Sequence, residues 1–517
     1  MNHPIGSSDI HIIESFIQQG SFQEALQQCQ QALVKVEASL IYSDLCQYYI
    51  QLIGQLIDIG IYLQCPQTIE QAILLLQMNQ DEFLAYSKGT YYYFLANAKF
   101  DLVKLENRGE SIGMTNIHQY NEIKNLYWQA AVSIGANTEP FLFAQNTINL
   151  ANLLKQQYRF SEAMRFYDTH INQTAIWIEA CMGRAMCLES IAKFWQHGTD
   201  KLVYEVIKNY EQIYHSKQRP EWSEYKDNLL SQITWLKKQI SFDEVEAQIE
   251  QDKADFEQMT PFRQWCLKQN LTLNVHALYC SCVATERDNL MIVSNNPIAR
   301  FDILKFEQYL NRIKSEFSLM RVLYYEAVHD ESKQHDFETG FTSLPEAEVI
   351  NLNVEKLRTC FRLNFSILDK LAIILCRYFD LKVSNKTYFT TFWDGNRDIL
   401  ESKDNFALIA LRSIINDLSN QEKGQFHFYK KWRNKLEHDL LFLTENGGYA
   451  PNSIYFDTDA IWVKLNEFEE NLLNLMQLTR SAIFSTVFAI SEDLRQRALN
   501  HSDENLQEVK IYLKPYD

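Results

Sequence analysis

Apolar residues recur at steps of three and four along most of this chain, which is the spacing that buries one face of an α-helix. Between about residues 10 and 240 this spacing predicts one helix after another. A turn that begins at Gly20 leads into a helix whose apolar face is formed by Leu26, Cys29, Ala32 and Leu33. The first half of the chain is therefore predicted to be helical throughout.

The segment 149–167 indicates how these helices pair. Residues 158–161 are expected to turn between two helices, with the small residues Ala151 and Ala163 on either side. Ala185 follows Ala151 at the interval of one tetratricopeptide repeat. The first half of the chain therefore resembles the tetratricopeptide repeat family, in a degenerate form. The resemblance implies a curved helical solenoid whose concave face binds a peptide, protein or regulatory ligand, or a scaffold that only positions the rest.

The second half is predicted to be a helical bundle, so the fold class is all-α. The sequence predicts a break at residues 216–222, and a new kind of sequence starts at Thr260. We place the domain boundary between 240 and 262, which gives domains at residues 1–245 and 246–517. The predicted helices of the second domain are 301–328, 354–378, 406–418, 424–443 and 457–499, with a polar loop at 329–348.

The candidate chemistry lies in residues 430–440, which read Lys-Lys-Trp-Arg-Asn-Lys-Leu-Glu-His-Asp-Leu. On a helix Asn434 and His438 are four residues apart and share one face, and Arg433 can lean over the same cleft. An imidazole can take the proton from a ribose 2′-hydroxyl, and a guanidinium can bind the phosphate. Four neighbours are candidate RNA-binding residues, three for their positive charge and one for its flat ring: Lys430, Lys431, Lys435 and Trp432.

The spacing of the Arg and the His is not specific by itself. Similar pairs occur at Arg165 with His170 and at Arg495 with His501. A solvated Arg and a surface His on an amphipathic helix would give the same pattern. For Trp432, a helix-spaced aromatic residue is an ordinary core residue as well as a possible base-stacking surface.

Composition restricts the possible partners. The chain has 517 residues and a net charge of −17, so any RNA contact must be a local basic patch on an acidic body. The closest of the ten cysteines, Cys280 and Cys282, do not have zinc-knuckle spacing, so we expect reduced thiols in a cytoplasmic protein and neither a metal nor a cofactor. The N-terminus is unlike a signal peptide, and no uninterrupted apolar run is long enough to span a bilayer, so no membrane contact is expected.

Arg433-Asn434 followed by His438 in a helical bundle resembles the signature of the HEPN family, the higher eukaryote and prokaryote nucleotide-binding domains. The resemblance covers roughly residues 260–500 and points to a branch of large bacterial proteins with helical-repeat N-terminal halves. The other stretches that match this branch are 265–267, 356–362, 366–372 and 405–408 with Leu411.

Many members of this family are metal-independent endoribonucleases of toxin or antiphage type, active as dimers. The resemblance implies that His438 is the general base or acid, Arg433 the phosphate clamp and Asn434 the positioning group. Asp369 is expected either to orient His438 or, with Lys370, to lie at the rim of the bundle. The expected partners are RNA, a second copy of the chain and a trigger bound by the repeat half. The alternative is a non-enzymatic scaffold with a degenerate HEPN dimerisation or nucleotide-binding module.

Overall fold

The computed structural model describes residues 7–37, 42–136, 138–171, 177–195, 197–216, 223–292, 300–329, 348–384, 387–421, 423–445 and 460–500. Contacts between Cα atoms divide the chain into two compact units, Met1–Gln156 and Gln157–Asp517. In the described ranges both units are mostly helical, as the hydrophobic spacing predicts.

The first unit contains eight described helices: α1 (Ser7–Gln18), α2 (Phe22–Glu37), α3 (Tyr42–Tyr62), α4 (Pro66–Met78), α5 (Gln80–Tyr86), α6 (Lys88–Glu106), α7 (Ile117–Ser133) and α8 (Pro140–Gln156). Successive helices of this unit contact one another, and α3 also contacts α1, α5 and α6. Helix α2 buries Cys29, Ala32 and Leu33 as its apolar stripe predicts, whereas Leu26 is only partly buried against the same core. The arrangement of these helices as a solenoid remains a prediction.

The second unit begins with six helices: α9 (Phe160–Ile171), α10 (Ile178–Phe194), α11 (Asp200–His215), α12 (Ser223–Lys237), α13 (Phe242–Gln258) and α14 (Pro261–Lys268). Helices α9 and α10 pack closely at Gly183, where the absence of a side chain makes room for the Tyr167 ring. A Cβ atom at this position would lie 2.2 Å from that ring. Irregular chain with two short 3₁₀ turns follows, at His276–Leu278 and Val283–Thr285.

The rest of the second unit is a bundle of α15 (Arg300–His329), α16 (Leu352–Tyr378), α17 (Arg397–Glu401), α18 (Phe406–Leu418), α19 (Phe428–His438) and α20 (Leu465–Asn500). Helix α16 contacts α15, α19 and α20, and α18 contacts α19 and α20. Every residue of α18 is buried, and the Asn405 side chain caps it by accepting hydrogen bonds from the N–H groups of Ala407 and Leu408. This buried layer supports α19, which contains the candidate motif.

The predicted boundaries of two bundle helices differ from those in the structure. The helix predicted at 424–443 is α19 followed by strand β1 (Leu441–Thr444), and the helix predicted at 457–499 is preceded by strand β2 (Ile461–Lys464). The two strands pair in parallel, with Leu441 opposite Ile461. Both strands are very short, and strand pairing depends on a partner distant in the sequence, which helical spacing cannot reveal.

The boundary predicted near residue 245 lies inside the second compact unit and remains a prediction. The predicted break at 216–222 and the loop at 329–348 fall largely outside the described residues, as does His501. None of the described helices has an apolar stretch long enough to cross a membrane.

Candidate functional site

Helix α19 positions the candidate motif, and the turn before it depends on a glycine. A Cβ atom at Gly424 would lie 1.8 Å from the carbonyl oxygen of Asn416, so a larger residue cannot occupy this position without moving the backbone. The Phe426 N–H donates to the carbonyl of Asp417, and His427 Nδ1 lies 2.7 Å from the carbonyl oxygen of Gly424. The start of α19 is therefore fixed directly on the end of α18.

One face of α19 is core and the other is open. Tyr429 and Trp432 are the buried residues of the helix. The Tyr429 hydroxyl donates to Asn471 on α20, and the Trp432 ring stacks on Phe468 with centroids 5.6 Å apart. This packing orients the remaining residues of α19 toward the surface.

Three residues in one row of α19, Lys430, Asn434 and His438, lie between two surface cavities and line both of them. The larger cavity has a volume of about 580 Å³ and is also lined by Lys431, Lys435 and Asp439. The smaller, of about 240 Å³, is also lined by Arg433 and Asp369. The predicted shared face of Asn434 and His438 is present, and Arg433 meets both of them at the smaller cavity.

Arg433 is held between two aromatic rings and a carboxylate. Its guanidinium carbon lies 5.7 Å from the centroid of Phe365 and 5.8 Å from that of Tyr388. Its Nη2 atom is 3.8 Å from Oδ2 of Asp369, which is an ion pair too long for a hydrogen bond. The side chain remains 29% exposed, so the guanidinium is oriented by its neighbours and still accessible to an anion.

Asp369 faces Arg433 and, within the described residues, makes no direct hydrogen bond or ion pair with His438. Its Oδ1 accepts a hydrogen bond of 2.9 Å from the Phe389 N–H, which fixes the carboxylate. Burial raises the pKa of Asp369, although the hydrogen bond from Phe389 and the charge of Arg433 oppose that shift. Lys370 points elsewhere, because its Nζ donates to Glu316 at 2.6 Å. Asp369 is therefore placed to orient the guanidinium rather than the imidazole.

The lysines of the motif differ in their surroundings. Lys435 pairs with Asp439 one helical turn further along, and this pair lowers the pKa of the Asp439 carboxyl. Lys431 is exposed and Lys430 is half-buried. The positive charge available to a polyanion in the larger cavity is consequently centred on Lys430 and Lys431.

The structure argues against a base-stacking role for Trp432. The side chain is only 6% exposed, and its ring contacts those of Phe361, Phe428 and Phe468. Its position in the core follows from the helical spacing between Tyr429 and Trp432, which places both on the side of α19 that faces α16 and α20.

His438 is the last residue of α19, and its exposure follows from the way the helix ends. Asp439 is extended, and the chain turns directly into β1, whose Leu441 and Leu443 are buried. Hydrogen bonds fix this strand: the Val349 N–H donates to Leu443, and Arg358 donates to the carbonyl of Leu441 at 3.0 Å. The imidazole is thus exposed on the last turn of a helix that is fixed at both ends.

Sequence reasoning missed the residues around Arg433. Tyr388 and Phe389 follow the end of α16, and nothing in their sequence indicates that they approach α19. The other Arg and His pair in the described residues differs from the motif, because His170 is buried in α9.

Comparison with protein families identifies the part of the chain that contains this site. Residues 299–493 match the model of the LA2681-like HEPN family. These residues span α15 to most of α20 and include the whole motif. The C-terminal part of the chain is a HEPN domain, as the resemblance in the sequence implies. No curated protein and no solved structure matches the chain.

Proposed function

We propose that this chain is a metal-independent endoribonuclease effector, of toxin or antiphage type, whose HEPN site is formed by Arg433, Asn434 and His438. The main support is the position of Asn434 and His438 in one exposed row that meets Arg433 at the smaller cavity. A HEPN domain by itself is compatible with a nuclease or with a nucleotide-binding module, so the proposal rests on this geometry and its chemistry.

In the proposed reaction the His438 imidazole removes the proton from a ribose 2′-hydroxyl. The 2′-oxygen then forms a bond to phosphorus while the bond to the 5′-oxygen breaks, which leaves a 2′,3′-cyclic phosphate and a 5′-hydroxyl. Arg433 binds the phosphate and stabilises the charge that develops on it, and Asn434 donates to a phosphate or ribose oxygen. The proton that the 5′-oxygen needs comes from an acid, which we assign to His438 of a second copy in a homodimer.

The carboxylates near the site support chemistry without a metal ion. Among the described residues that line the two cavities, the carboxylates are Asp369 and Asp439. Each faces a cation, Arg433 and Lys435 respectively, and they line different cavities. Two carboxylates that converge on one point, as a two-magnesium nuclease requires, are therefore not found in this part of the structure.

The first compact unit offers a place for the proposed trigger. A surface cavity of about 650 Å³ lies within it and is lined by polar and aromatic side chains, among them Tyr48, Asp58, Tyr93 and Asn97. Such a mixed lining suits a peptide or a small polar ligand. We propose that occupancy of this unit regulates the ribonuclease.

The direct test is incubation of the purified chain with total RNA in the presence of EDTA. The parent is expected to produce fragments that end in cyclic phosphate, and His438→Ala is expected to lose this activity. Arg433→Lys keeps the charge but cannot bind a phosphate through two parallel N–H groups, so its rate should fall at least tenfold. His118→Ala is the matched control, because it removes an exposed imidazole from α7 of the other unit.

Because a trigger can be required, the same four proteins are also expressed in cells. The parent and His118→Ala are expected to arrest growth, and His438→Ala is not. The proposal is wrong if His438→Ala cleaves RNA and arrests growth as the parent does.

The alternative is a HEPN module that binds RNA or a nucleotide without cleaving it. It is favoured by the net charge of −17 and by the engagement of Lys435 with Asp439, which leaves little positive charge for a long polyanion. It predicts that the parent and His438→Ala bind a short RNA equally well and that neither degrades it or arrests growth.

A further inference from the structure

A second cluster of reactive side chains lies in the irregular segment between α14 and α15. The ligand atoms of His276, Cys280 and Cys282 all lie within 4.8 Å of one another. Cys280 is one of only two cysteines in the chain that are not fully buried. The cluster lies in the second compact unit, outside the residues that match the HEPN family.

The separation of Cys282 and His276 is close to that of two donor atoms around one tetrahedral ion. The Cys282 Sγ atom lies 3.3 Å from Nε2 of His276. Tetrahedral zinc with Zn–S and Zn–N bonds of about 2.3 and 2.0 Å places such a sulfur and nitrogen about 3.5 Å apart. The Cys282 N–H donates to Cys280 Sγ at 3.4 Å, which fixes the position of that sulfur. Burial raises the pKa of the Cys280 thiol, so an ion would bind there with release of its proton.

A second layer of hydrogen bonds orients the imidazole. Nδ1 of His276 lies 2.8 Å from the hydroxyl of Tyr279. That hydroxyl is also 2.9 Å from Oγ1 of Thr199 and 2.9 Å from Nε2 of His197. The opposite nitrogen of His276, Nε2, therefore faces the cysteines, which is the arrangement by which proteins orient a metal-binding histidine.

The segment itself is organised by buried polar contacts before any ion is considered. The Asn274 side-chain amide donates to the carbonyls of Ala284 and Arg287 at 2.8 and 3.1 Å, and its oxygen accepts from the His276 N–H. Asn274 is 1% exposed. The three candidate ligands thus lie on a preformed loop rather than on a flexible one.

Asp252 of α13 is placed to supply a fourth donor. Its Oδ2 atom lies 3.5 Å from Cys280 Sγ and 2.5 Å from Nζ of Lys201, and the residue is 6% exposed. Two thiolates, one carboxylate, the Lys201 ammonium and a divalent cation sum to zero charge. A partly buried site with that balance avoids the cost of an uncompensated charge.

We propose that His276, Cys280 and Cys282 bind one Zn²⁺ and that Asp252 completes its coordination. Two thiolates and an imidazole favour zinc over the harder magnesium and calcium ions. The ion would connect the loop to α13 and would stabilise this part of the second unit. The spacing of these residues in the sequence could not indicate this site. Asp252 lies on α13, well before His276, and the two cysteines are separated by a single residue.

The test uses the full chain without a polyhistidine tag, purified under reducing conditions and then reconstituted with Zn²⁺. Metal content is measured by mass spectrometry after removal of free ion. Co²⁺ replaces Zn²⁺ in a parallel sample, because a tetrahedral cobalt–thiolate site gives intense visible bands and a charge-transfer band. The variants are His276→Ala, the double variant Cys280→Ser/Cys282→Ser and Asp252→Asn. Cys65→Ser is the matched control, since it removes a half-buried thiol outside the cluster.

We expect about one Zn²⁺ for each parent and Cys65→Ser chain, with the cobalt–thiolate spectrum in both. The double variant should lose the ion and the spectrum, and His276→Ala and Asp252→Asn should bind at least tenfold more weakly. Circular dichroism establishes that each variant is folded.

The proposal is overturned if the folded, reduced parent takes up no zinc, or if the double variant binds as much as the parent. It is also overturned if Cys280 and Cys282 form a disulfide whose reduction restores no metal binding. The site is independent of the ribonuclease chemistry, so loss of zinc and loss of RNA cleavage in His438→Ala are separate results.

Discussion

Arg159 offers the sharpest quantitative test of how the second unit is held together. Its side chain is fully buried at the start of α9, where it bonds Glu162 through Nε at 2.7 Å and Nη2 at 2.5 Å. Its Nη1 donates to Asp417 at 2.6 Å and to Ser413 at 3.0 Å, both on α18. Burial lowers the pKa of Arg159, but the charges of Asp417 and Glu162 raise it by more, so its pKa lies above the ordinary value.

Replacement of Arg159 with methionine keeps most of the volume and removes the charge. Glu162 and Asp417 then lose the guanidinium that they share, and the Asp417 side chain is 0% exposed. Loss of one partner of a buried ion pair costs about 3–5 kcal/mol. In a unit of roughly 360 residues this corresponds to a decrease of about 4–7 °C in the unfolding temperature.

The measurement is differential scanning calorimetry of the full chain, with urea unfolding as a second estimate of the free energy. Arg159→Met/Glu162→Gln/Asp417→Asn removes the cation together with both of its carboxylate partners and should recover a large part of the lost stability. Arg312→Met is the matched control, because Arg312 is 71% exposed and its pair with Glu316 should contribute less than about 1 kcal/mol.

This prediction also concerns the candidate site, since the carbonyl of Asp417 accepts the Phe426 N–H at the start of the turn into α19. If Arg159→Met unfolds at the same temperature as Arg312→Met, the argument from the buried charge is wrong. If the triple variant is no more stable than Arg159→Met, the carboxylates that lose their guanidinium are not the cause of the loss.

Three further results are expected. Burial raises the pKa of Asp101 to about 7, so the folded chain retains a proton that the unfolded chain releases, and stability falls as the pH rises from about 4 to 7. The free energy of unfolding of Asp101→Asn should exceed that of the parent by up to about 4 kcal/mol at pH 8 and by little at pH 4. An equal difference at both pH values would contradict this prediction. Trp432→Ala should lower the free energy of urea unfolding by about 3–5 kcal/mol, since the Trp432 ring packs on Phe468. Unchanged stability together with weaker RNA binding would instead indicate that Trp432 stacks on an RNA base. Asp369→Asn removes the charge that orients Arg433, so a short RNA should bind a few-fold more weakly in a filter-binding assay. Tighter binding would mean that the carboxylate mainly competes with the phosphate for the guanidinium.

The sequence predicts the elements whose signal is local. Helix α18 runs from Phe406 to Leu418 as its continuous apolar pattern indicates, and the shared face of Asn434 and His438 follows from their spacing of four. The similarity to the HEPN family is likewise a property of short stretches, and the family comparison places it at residues 299–493.

The tertiary structure decides what depends on partners distant in the sequence. Asp369 of α16 meets Arg433 of α19, and Trp432 is core because α20 covers it, although the same spacing would suit an exposed aromatic residue. The ends of α19 and α20 were mispredicted because β1 and β2 exist only as a pair. Helical periodicity repeats within a few residues and is therefore visible in the sequence, whereas ion pairs, strand pairs and metal clusters require the folded chain to bring their members together.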